Sequence, residues 1–172
     1  MEKARYKRVF LKLSGEALAL KNEDGTIREI FDAQVIDSIA DNIRECTELG
    51  VQIGIMIGAG NIWRGRMGKG VDRAKADHMG MLATTINCLR FQDALIKKGC
   101  GAVVMTTVTM DGFTEVFSPD RAKEYLASGR PVIFAIAVRM TRLGLAPPED
   151  APHHMNKQEQ QHPSRASEYD RR

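Results

Sequence analysis

The chain is built around one short sequence, Val51-Gln-Ile-Gly-Ile-Met-Ile-Gly-Ala-Gly-Asn-Ile-Trp-Arg-Gly65. Its first half, residues 51–57, is mostly apolar and rich in β-branched side chains, which predicts a buried strand of a parallel sheet. Gly58 and Gly60 follow this strand directly, so the backbone there can approach a ligand closely with amide groups available to an anion. Arg64 adds a planar guanidinium suited to phosphate. The sequence therefore indicates a phosphate-binding turn at the carboxyl end of a strand, where open α/β sheets bind ligands.

The same glycines also have a purely structural interpretation, as a tight turn between a strand and a helix. The dinucleotide-binding fingerprint is not matched, because Trp63 stands where a third glycine is expected. The chain also contains no G-x-x-x-x-G-K-[ST] phosphate loop. The functional interpretation therefore needs support from other segments.

The bulk composition is that of an ordinary globular protein. The chain has 172 residues, of which 43% are hydrophobic and 27% charged, enough for one domain with a real core. A net charge of +3 without a basic stripe predicts no nucleic-acid partner. Lys12 interrupts the apolar run near the start, and no stretch reaches membrane-spanning length. We therefore expect a cytoplasmic protein without a membrane partner.

The potential metal ligands show no recognisable spacing. Cys46, Cys88 and Cys100 do not form a metal-binding pattern, and the first two fall in helical apolar patterns that predict core thiols. The adjacent His153 and His154 lie in a polar segment without a carboxylate pattern. No metal site is assigned.

Strand and helix patterns alternate along the chain, which predicts an α/β fold with a mainly parallel sheet. The predicted elements are a strand at 8–13, a helix from an Asp32 N-cap to Gly50, strand 51–57, a long helix from about 72 to 99, strand 102–108, helix 119–128 with Ser118 as N-cap, and strand 131–137. The core face of the long helix is predicted from Met79, Leu82, Ile86, Leu89 and Ile96. Residues 21–28 form a polar loop or hairpin with a turn at Asp24-Gly25.

Two charged residues have both a purely structural and a functional interpretation. Lys12 lies in an otherwise apolar strand, either facing water from an edge strand or joining Ser14 and Gly15 in a second anion site. Asp77 lies near the start of the long helix, either as a favourable N-terminal carboxylate or as an acceptor for ligand hydroxyls.

The character of the chain changes after Ala137. Four of the six prolines and three of the four histidines lie in residues 138–172, with little apolar periodicity. We predict an ordered portion at 1–137 and a divergent, largely disordered tail at 138–172.

Four motifs resemble bacterial uridylate (UMP) kinases of the amino-acid kinase superfamily. They are Lys7-Arg-Val-Phe-Leu-Lys-Leu-Ser-Gly-Glu-Ala17, Gly58-Ala-Gly-Asn-Ile-Trp-Arg-Gly65, the block Ala76-Asp-His-Met-Gly-Met-Leu-Ala-Thr84 with Asp72, Arg73 and Asn87, and Gly129-Arg-Pro-Val-Ile-Phe134. The resemblance covers about residues 6–135 and keeps the order and spacing of the motifs.

The resemblance implies a three-layer α/β/α sandwich that transfers the γ-phosphoryl group of ATP, with Mg²⁺, to UMP, a step of pyrimidine biosynthesis. It implies a homohexamer, and GTP activation linked to the loop at 22–26. By the same resemblance Lys12, Ser14, Gly15, Gly60 and Arg64 bind ATP, with Lys12 and Arg64 as the catalytic pair. Gly58, Ala59 and Asp77 bind UMP. Magnesium arrives with ATP, and no protein ligand is assigned to it.

The chain departs from the family pattern at two places. Ala59 replaces the usual middle glycine, and a positive φ there would cost about 1 kcal/mol or more. After residue 135 the family's next UMP-binding motif and adenine-binding half are missing, so the fold is expected to be truncated at its C-terminal side. We also expect the edge of the sheet at 132–137 to be unpaired.

Three functions are compatible with these sequence features. The first is a UMP kinase, and the second is a non-catalytic nucleotide-binding fragment of such a kinase. The third is a related kinase of the superfamily acting on a small carboxylate or carbamate.

Overall fold

The structure is a computed structural model that describes residues 4–64 and 69–136. The predicted tail at 138–172 lies outside these residues, and so does the proposed boundary at residue 137.

One sheet of five parallel strands forms the centre of the molecule. Numbered along the chain, its strands stand in the spatial order β1 (Arg8–Leu13), β4 (Gln52–Ile57), β7 (Val132–Ala135), β5 (Val103–Thr106) and β6 (Glu115–Val116). A separate antiparallel pair, β2 (Leu20–Lys21) and β3 (Ile27–Glu29), forms a small hairpin. The predicted α/β fold with a mainly parallel sheet is confirmed, and β6 is a strand that the sequence patterns did not predict.

A short 3-10 helix, Gly15–Leu18, follows β1, and three α-helices connect the strands. They are α1 (Ala33–Glu48), α2 (Arg73–Lys97) and α3 (Pro119–Ala127). Asp32 caps α1 by accepting from the amides of Gln34 and Val35, and Ser118 caps α3 in the same manner, as predicted. Asp72 caps α2. In the part of the chain that the structure describes, no helix is long and apolar enough to cross a membrane.

The sheet separates two hydrophobic clusters. On one face the buried residues of α1 and α2 pack against β4, with Ile36, Ile55 and Phe91 at the centre. On the other face α3 packs against β5 and β7 through Leu126 and Phe134. Helices therefore cover both faces of the sheet, which is the predicted three-layer α/β/α sandwich.

Helix α2 buries a different face from the predicted one. Of the predicted residues, Leu89 is partly buried and packs against the core, but Met79, Leu82, Ile86 and Ile96 are exposed. The buried residues are Ala83, Thr85, Asn87, Cys88, Phe91, Ala94 and Leu95. The prediction was wrong for these four residues because α2 carries apolar side chains on two faces, and the buried face includes polar Asn87, which hydrogen-bonds to another segment. Periodicity alone could not distinguish the two faces.

The cysteines also differ from their predicted placement. Cys88 is a core thiol as predicted, but Cys46 is exposed and Cys100 is buried. The buried line of α1 runs through Ile36, Ala40 and Ile43, so Cys46 falls beside that line rather than on it. Burial raises the pKa of the Cys88 thiol to about 12.

The predicted open edge at residues 132–137 is wrong. Strand β7 pairs with β4 on one side and β5 on the other, and all four of its residues are buried. Among the described residues the long open edge belongs to β1, which pairs with β4. The order of strands depends on contacts between distant segments, which local patterns do not report.

Candidate functional site

Two loops meet at the carboxyl edge of the sheet. The serine loop, residues 14–16, follows β1, and the glycine turn, residues 58–60, follows β4. Because β1 and β4 are neighbouring parallel strands, their carboxyl ends lie side by side. The amide of Gly58 donates to the Leu13 carbonyl at 2.9 Å, which joins the two loops at their bases.

The loops are in direct backbone contact at Gly15. A Cβ atom at this position would lie 2.5 Å from Asn61 Oδ1 and 2.8 Å from the amide nitrogen of Gly60, and it would also collide with the Gly58 carbonyl. Real side chains do not occur at such distances, so only glycine fits between the loops. The structure therefore gives Gly15 a packing reason beside its predicted part in an anion site.

The glycine turn leaves backbone donors without partners. The Ala59 carbonyl accepts from the amides of Ile62 at 2.9 Å and Trp63 at 2.8 Å, which starts one helical turn. Within the described ranges the amides of Ala59 and Gly60 find no acceptor. Free amides at the start of a helical turn, just after a strand, are suited to an anion. No non-glycine residue described has a positive φ, so the strain considered for Ala59 is absent.

Ser14 and Lys12 lie on the β1 side of the same edge. The Ser14 hydroxyl oxygen accepts from the Glu16 amide at 3.3 Å, which leaves its proton free to donate. Lys12 is exposed, and it shares a sheet face with Phe10, two residues before it. Its position on an edge strand agrees with the structural interpretation, in which Lys12 faces water. The same position also leaves the ammonium accessible to a ligand.

Arg64 is held by the two loops. Its Nε donates to the Gly60 carbonyl at 2.8 Å, and one terminal nitrogen lies 2.8 Å from Glu16 Oε1. The predicted phosphate ligand is therefore also a link between the glycine turn and the serine loop. Glu16 was not among the predicted site residues, because a single glutamate after Gly15 carries no pattern that would indicate this ion pair.

Two buried amide side chains support the turn from beneath. Asn87 of α2 donates to the Gly58 carbonyl at 2.7 Å and to Asn61 Oδ1 at 2.7 Å. Asn61 in turn donates to Asn87 Oδ1 at 3.1 Å and to the Ile30 carbonyl at 2.7 Å. Both residues belong to motifs quoted from the sequence, yet neither was predicted to act in the site, and their pairing is visible only in three dimensions.

Asp77 lies on α2 near the same edge. It is an exposed residue, five positions after the Asp72 cap. A side chain added at Gly80 would contact Trp63 Cδ1 at 3.4 Å, so the Trp63 ring lies against α2 there. Residues three apart share a helix face, which places Asp77 on the side of α2 that Trp63 covers.

The hairpin loop between β2 and β3 is well organised by its own polar groups. Asp24 accepts from the Thr26 amide at 2.9 Å and from the Thr26 hydroxyl at 2.6 Å, and Asn22 donates to that hydroxyl at 2.9 Å. These Thr26 bonds lower the pKa of Asp24. The structure thus confirms a turn at Asp24-Gly25, where Gly25 has a φ of +80°.

No protein metal site is formed by the described residues. Within the described ranges, no three His, Cys, Asp or Glu side chains are grouped so that they could hold a metal ion.

Comparison with known proteins identifies the family. The amino acid kinase family matches residues 7–145. The chain belongs to the amino acid kinase family.

Solved UMP kinases are similar to this chain. The enzyme from Bacillus anthracis is 38% identical with a TM-score of 0.66, over 75% of this chain and 52% of that one. The enzyme from Ureaplasma parvum is 30% identical with a TM-score of 0.67, over 77% and 55%. The chain thus spans about half the length of the UMP kinases it matches.

An isopentenyl phosphate kinase is also similar in structure. It is 20% identical with a TM-score of 0.51, over 74% of this chain and 56% of that one. At this identity the match shows the fold alone.

Proposed function

We propose that this chain is a UMP kinase, which transfers the γ-phosphoryl group of ATP to UMP to give ADP and UDP. The observation that carries the proposal is the meeting of the serine loop and the glycine turn at one sheet edge, where the amides of Ala59 and Gly60 have no acceptor among the described residues. The 30–38% identity to solved UMP kinases supports UMP as the acceptor.

The ATP phosphates would be bound from both loops. Lys12 supplies an accessible ammonium, Ser14 a hydroxyl proton and Gly60 a backbone amide. Gly15 keeps the loops close enough for one ligand to reach both. Phosphoryl transfer depends mainly on positioning and on neutralising the charge that develops at the transferred group. Lys12 and the amides would provide that stabilisation.

Arg64 would act as the second catalytic cation. Its guanidinium is bound to Glu16 and to the Gly60 carbonyl. A guanidinium has five donors, so Arg64 can keep the Gly60 contact while its remaining N–H groups turn to a phosphate. This ion pair is partly exposed, at 31% and 39% of the two side chains, so its exchange for a phosphate contact has a small cost in stability.

UMP would lie on the other side of the glycine turn. The backbone at Gly58 and Ala59 would contact its phosphate, and Asp77 would accept from the ribose hydroxyls. The helical spacing of Asp77 and Gly80 and the contact of Gly80 with Trp63 support this assignment. Magnesium would enter as the ATP complex and neutralise phosphate charge.

Further properties of the proposed kinase follow from the family resemblance. We propose a cytoplasmic homo-oligomer, a hexamer by that resemblance, and the exposed apolar side chains of α2 support self-association. GTP would act at the loop of residues 22–26. The polar bonds around Asp24 show that this loop has a defined shape that an effector could recognise.

Two alternatives can be separated by one experiment. Purified protein is assayed for ADP release with ATP, magnesium and UMP, and UMP binding is measured by calorimetry. Turnover supports the proposal, and UMP binding without turnover supports a non-catalytic nucleotide-binding chain. Turnover with isopentenyl phosphate but not UMP would support a related small-substrate kinase and refute the UMP assignment.

A matched pair of lysine variants tests the site itself. Lys12→Gln should abolish turnover or weaken ATP binding at least about tenfold, because an ammonium–phosphate contact is lost. Lys97→Gln is the control, since Lys97 is exposed and pairs with Asp93 at the far end of α2. Equal behaviour of the two variants would contradict the assignment of Lys12.

A further inference from the structure

Asn61 and Asn87 form a buried pair of polar side chains, although apolar side chains would be enough to fill the space by packing. Asn87 is completely buried and Asn61 is 7% exposed. All four of their side-chain N–H groups are used, on each other and on the carbonyls of Gly58 and Ile30. Burying two amides is costly unless every donor is satisfied. A fully satisfied buried network specifies one arrangement of the segments it joins.

The pair connects four separate segments at one point. Asn87 belongs to α2, Asn61 and Gly58 follow β4, and Ile30 precedes α1. Gly15 of the serine loop packs against Asn61 Oδ1 and the Gly58 carbonyl, the atoms to which Asn87 donates. The backbone position of the glycine turn is thus set by the amides beneath it as well as by the strand before it.

We infer that Asn87, together with Asn61, is a positioning residue that fixes the glycine turn and so orients the amides of Ala59 and Gly60 toward a phosphate. Asn87 itself touches no ligand, because its donors are already occupied by Gly58 and Asn61. The part concerning phosphate rests on the proposed function. The part concerning the turn does not, and it can be measured without a ligand.

The first test compares two amide side chains of the same helix. Gln92 also donates from α2 to a backbone carbonyl, that of Ala102 at 3.0 Å, but this contact lies before β5 and away from the glycine turn. Asn87→Leu is therefore matched with Gln92→Leu. Hydrogen exchange of the Gly58, Ile62 and Trp63 amides is measured in the ligand-free protein, relative to Val104 in the sheet.

Asn87→Leu should speed exchange of the turn amides relative to Val104 at least about tenfold, since the Gly58 carbonyl and Asn61 lose their partner. Gln92→Leu should leave this exchange ratio within about twofold of the wild-type ratio. That is far below the change of about tenfold expected when one hydrogen bond is lost. Unchanged turn amides in Asn87→Leu, or equal changes in both variants, would overturn the inference.

A second variant tests whether the side chain at position 87 must donate a hydrogen bond. It can replace Asn87→Leu if that variant does not fold. Asn87→Asp keeps the shape, but an ionised carboxylate would face the Gly58 carbonyl and Asn61 Oδ1, and only the protonated form can donate. Burial raises the pKa of such a carboxyl. The turn should therefore regain protection as pH falls, and Gln92→Glu should show no such recovery at the turn. Absence of recovery in Asn87→Asp would contradict a donor role.

Calorimetry with UMP on the same variants separates this inference from the proposed function. Weaker UMP binding in Asn87→Leu than in Gln92→Leu supports both. If wild type binds no UMP while the turn loosens in Asn87→Leu, the proposed function fails and the positioning of the turn stands. If wild type binds UMP and Asn87→Leu matches it in affinity and exchange, the inference fails and the proposed function stands.

Discussion

Gly15 and Gly58 are both glycines of the candidate site, but the structure gives them different constraints. A Cβ at Gly15 would collide with backbone atoms of the glycine turn, whereas the nearest atom to a Cβ at Gly58 is 3.5 Å away. Neither has a positive φ. Position 15 therefore requires glycine because there is no room for a side chain. At position 58 there is room for a Cβ atom, so packing does not require glycine there.

We expect Gly15→Ala to lower the free energy of unfolding by about 1–3 kcal/mol, because the backbone on both sides must shift to admit a methyl group. Gly58→Ala should change the free energy of unfolding by less than about 1 kcal/mol, since it makes only ordinary contacts. Urea unfolding of both variants measures the difference. Equal destabilisation would show that the loops are not packed as described.

The three cysteines should react at very different rates. Cys46 is exposed, whereas Cys88 and Cys100 are buried, and burial raises the pKa of Cys88 to about 12. Because thiolates are the reactive form, one thiol should react rapidly with a thiol reagent at pH 8 in the native protein, and all three after unfolding. Mass spectrometry should locate the rapid label at Cys46, and rapid labelling of Cys88 would contradict its burial.

The raised pKa of Cys88 also makes the stability of the fold depend on pH. The fold opposes ionisation of this thiol. The contribution of Cys88 to the free energy of unfolding is therefore complete below the ordinary thiol pKa of about 8.5. That contribution is lost as pH rises from there toward the folded value of about 12. Cys88→Ala should therefore show a shallower loss of stability than wild type across this alkaline range, in unfolding measured at several pH values.

At the scale of elements, the most informative difference is the orientation of α2. The sequence predicted the helix, its approximate ends and its apolar residues. It did not predict which apolar face is buried, since Asn87 and Thr85 lie on the buried side and Leu82 and Ile86 outside. The buried face carries Phe91 and Leu95 in the core, and Asn87 and Gln92 donate from this side of the helix to the carbonyls of Gly58 and Ala102.

The exposed face of α2 gives a prediction for self-association. Leu82→Ser should change the free energy of unfolding of the isolated chain by no more than about 0.5 kcal/mol, as is usual at surface positions. It should shift any oligomer toward monomer, because Leu82 is 53% exposed among other apolar side chains. Light scattering measures the shift. Lys97→Gln, on the charged end of α2, is the control, and an equal shift there would contradict the proposed interface.

At the scale of the whole molecule, two cores share one sheet. Phe91 lies in the cluster beneath α1 and α2, and Leu126 in the cluster beneath α3. Strand β7 contributes Ile133 to the first cluster and Val132 to the second. Loss of packing on one face therefore affects strands that also hold the other.

We expect a single cooperative unfolding transition that either core can weaken. Phe91→Ala should cost about 3–5 kcal/mol and Leu126→Ala about 2–5 kcal/mol, as for other large-to-small changes of buried side chains. Fluorescence of Trp63, the single tryptophan, and far-UV circular dichroism should give coincident urea transitions in both variants. Separate transitions in Leu126→Ala would mean that the α3 face unfolds independently.

The sequence by itself determined the alternation of strands and helices, the caps at Asp32 and Ser118, the loops after β1 and β4, and the family. These features depend on local patterns and short motifs, whose signals lie within a few residues. Only the tertiary structure decided the place of β7 between β4 and β5, the buried face of α2, the Glu16–Arg64 pair and the amide pair beneath the glycine turn. Each of these joins residues distant in the chain, and their partners are chosen by packing and hydrogen-bond satisfaction, which no local pattern encodes.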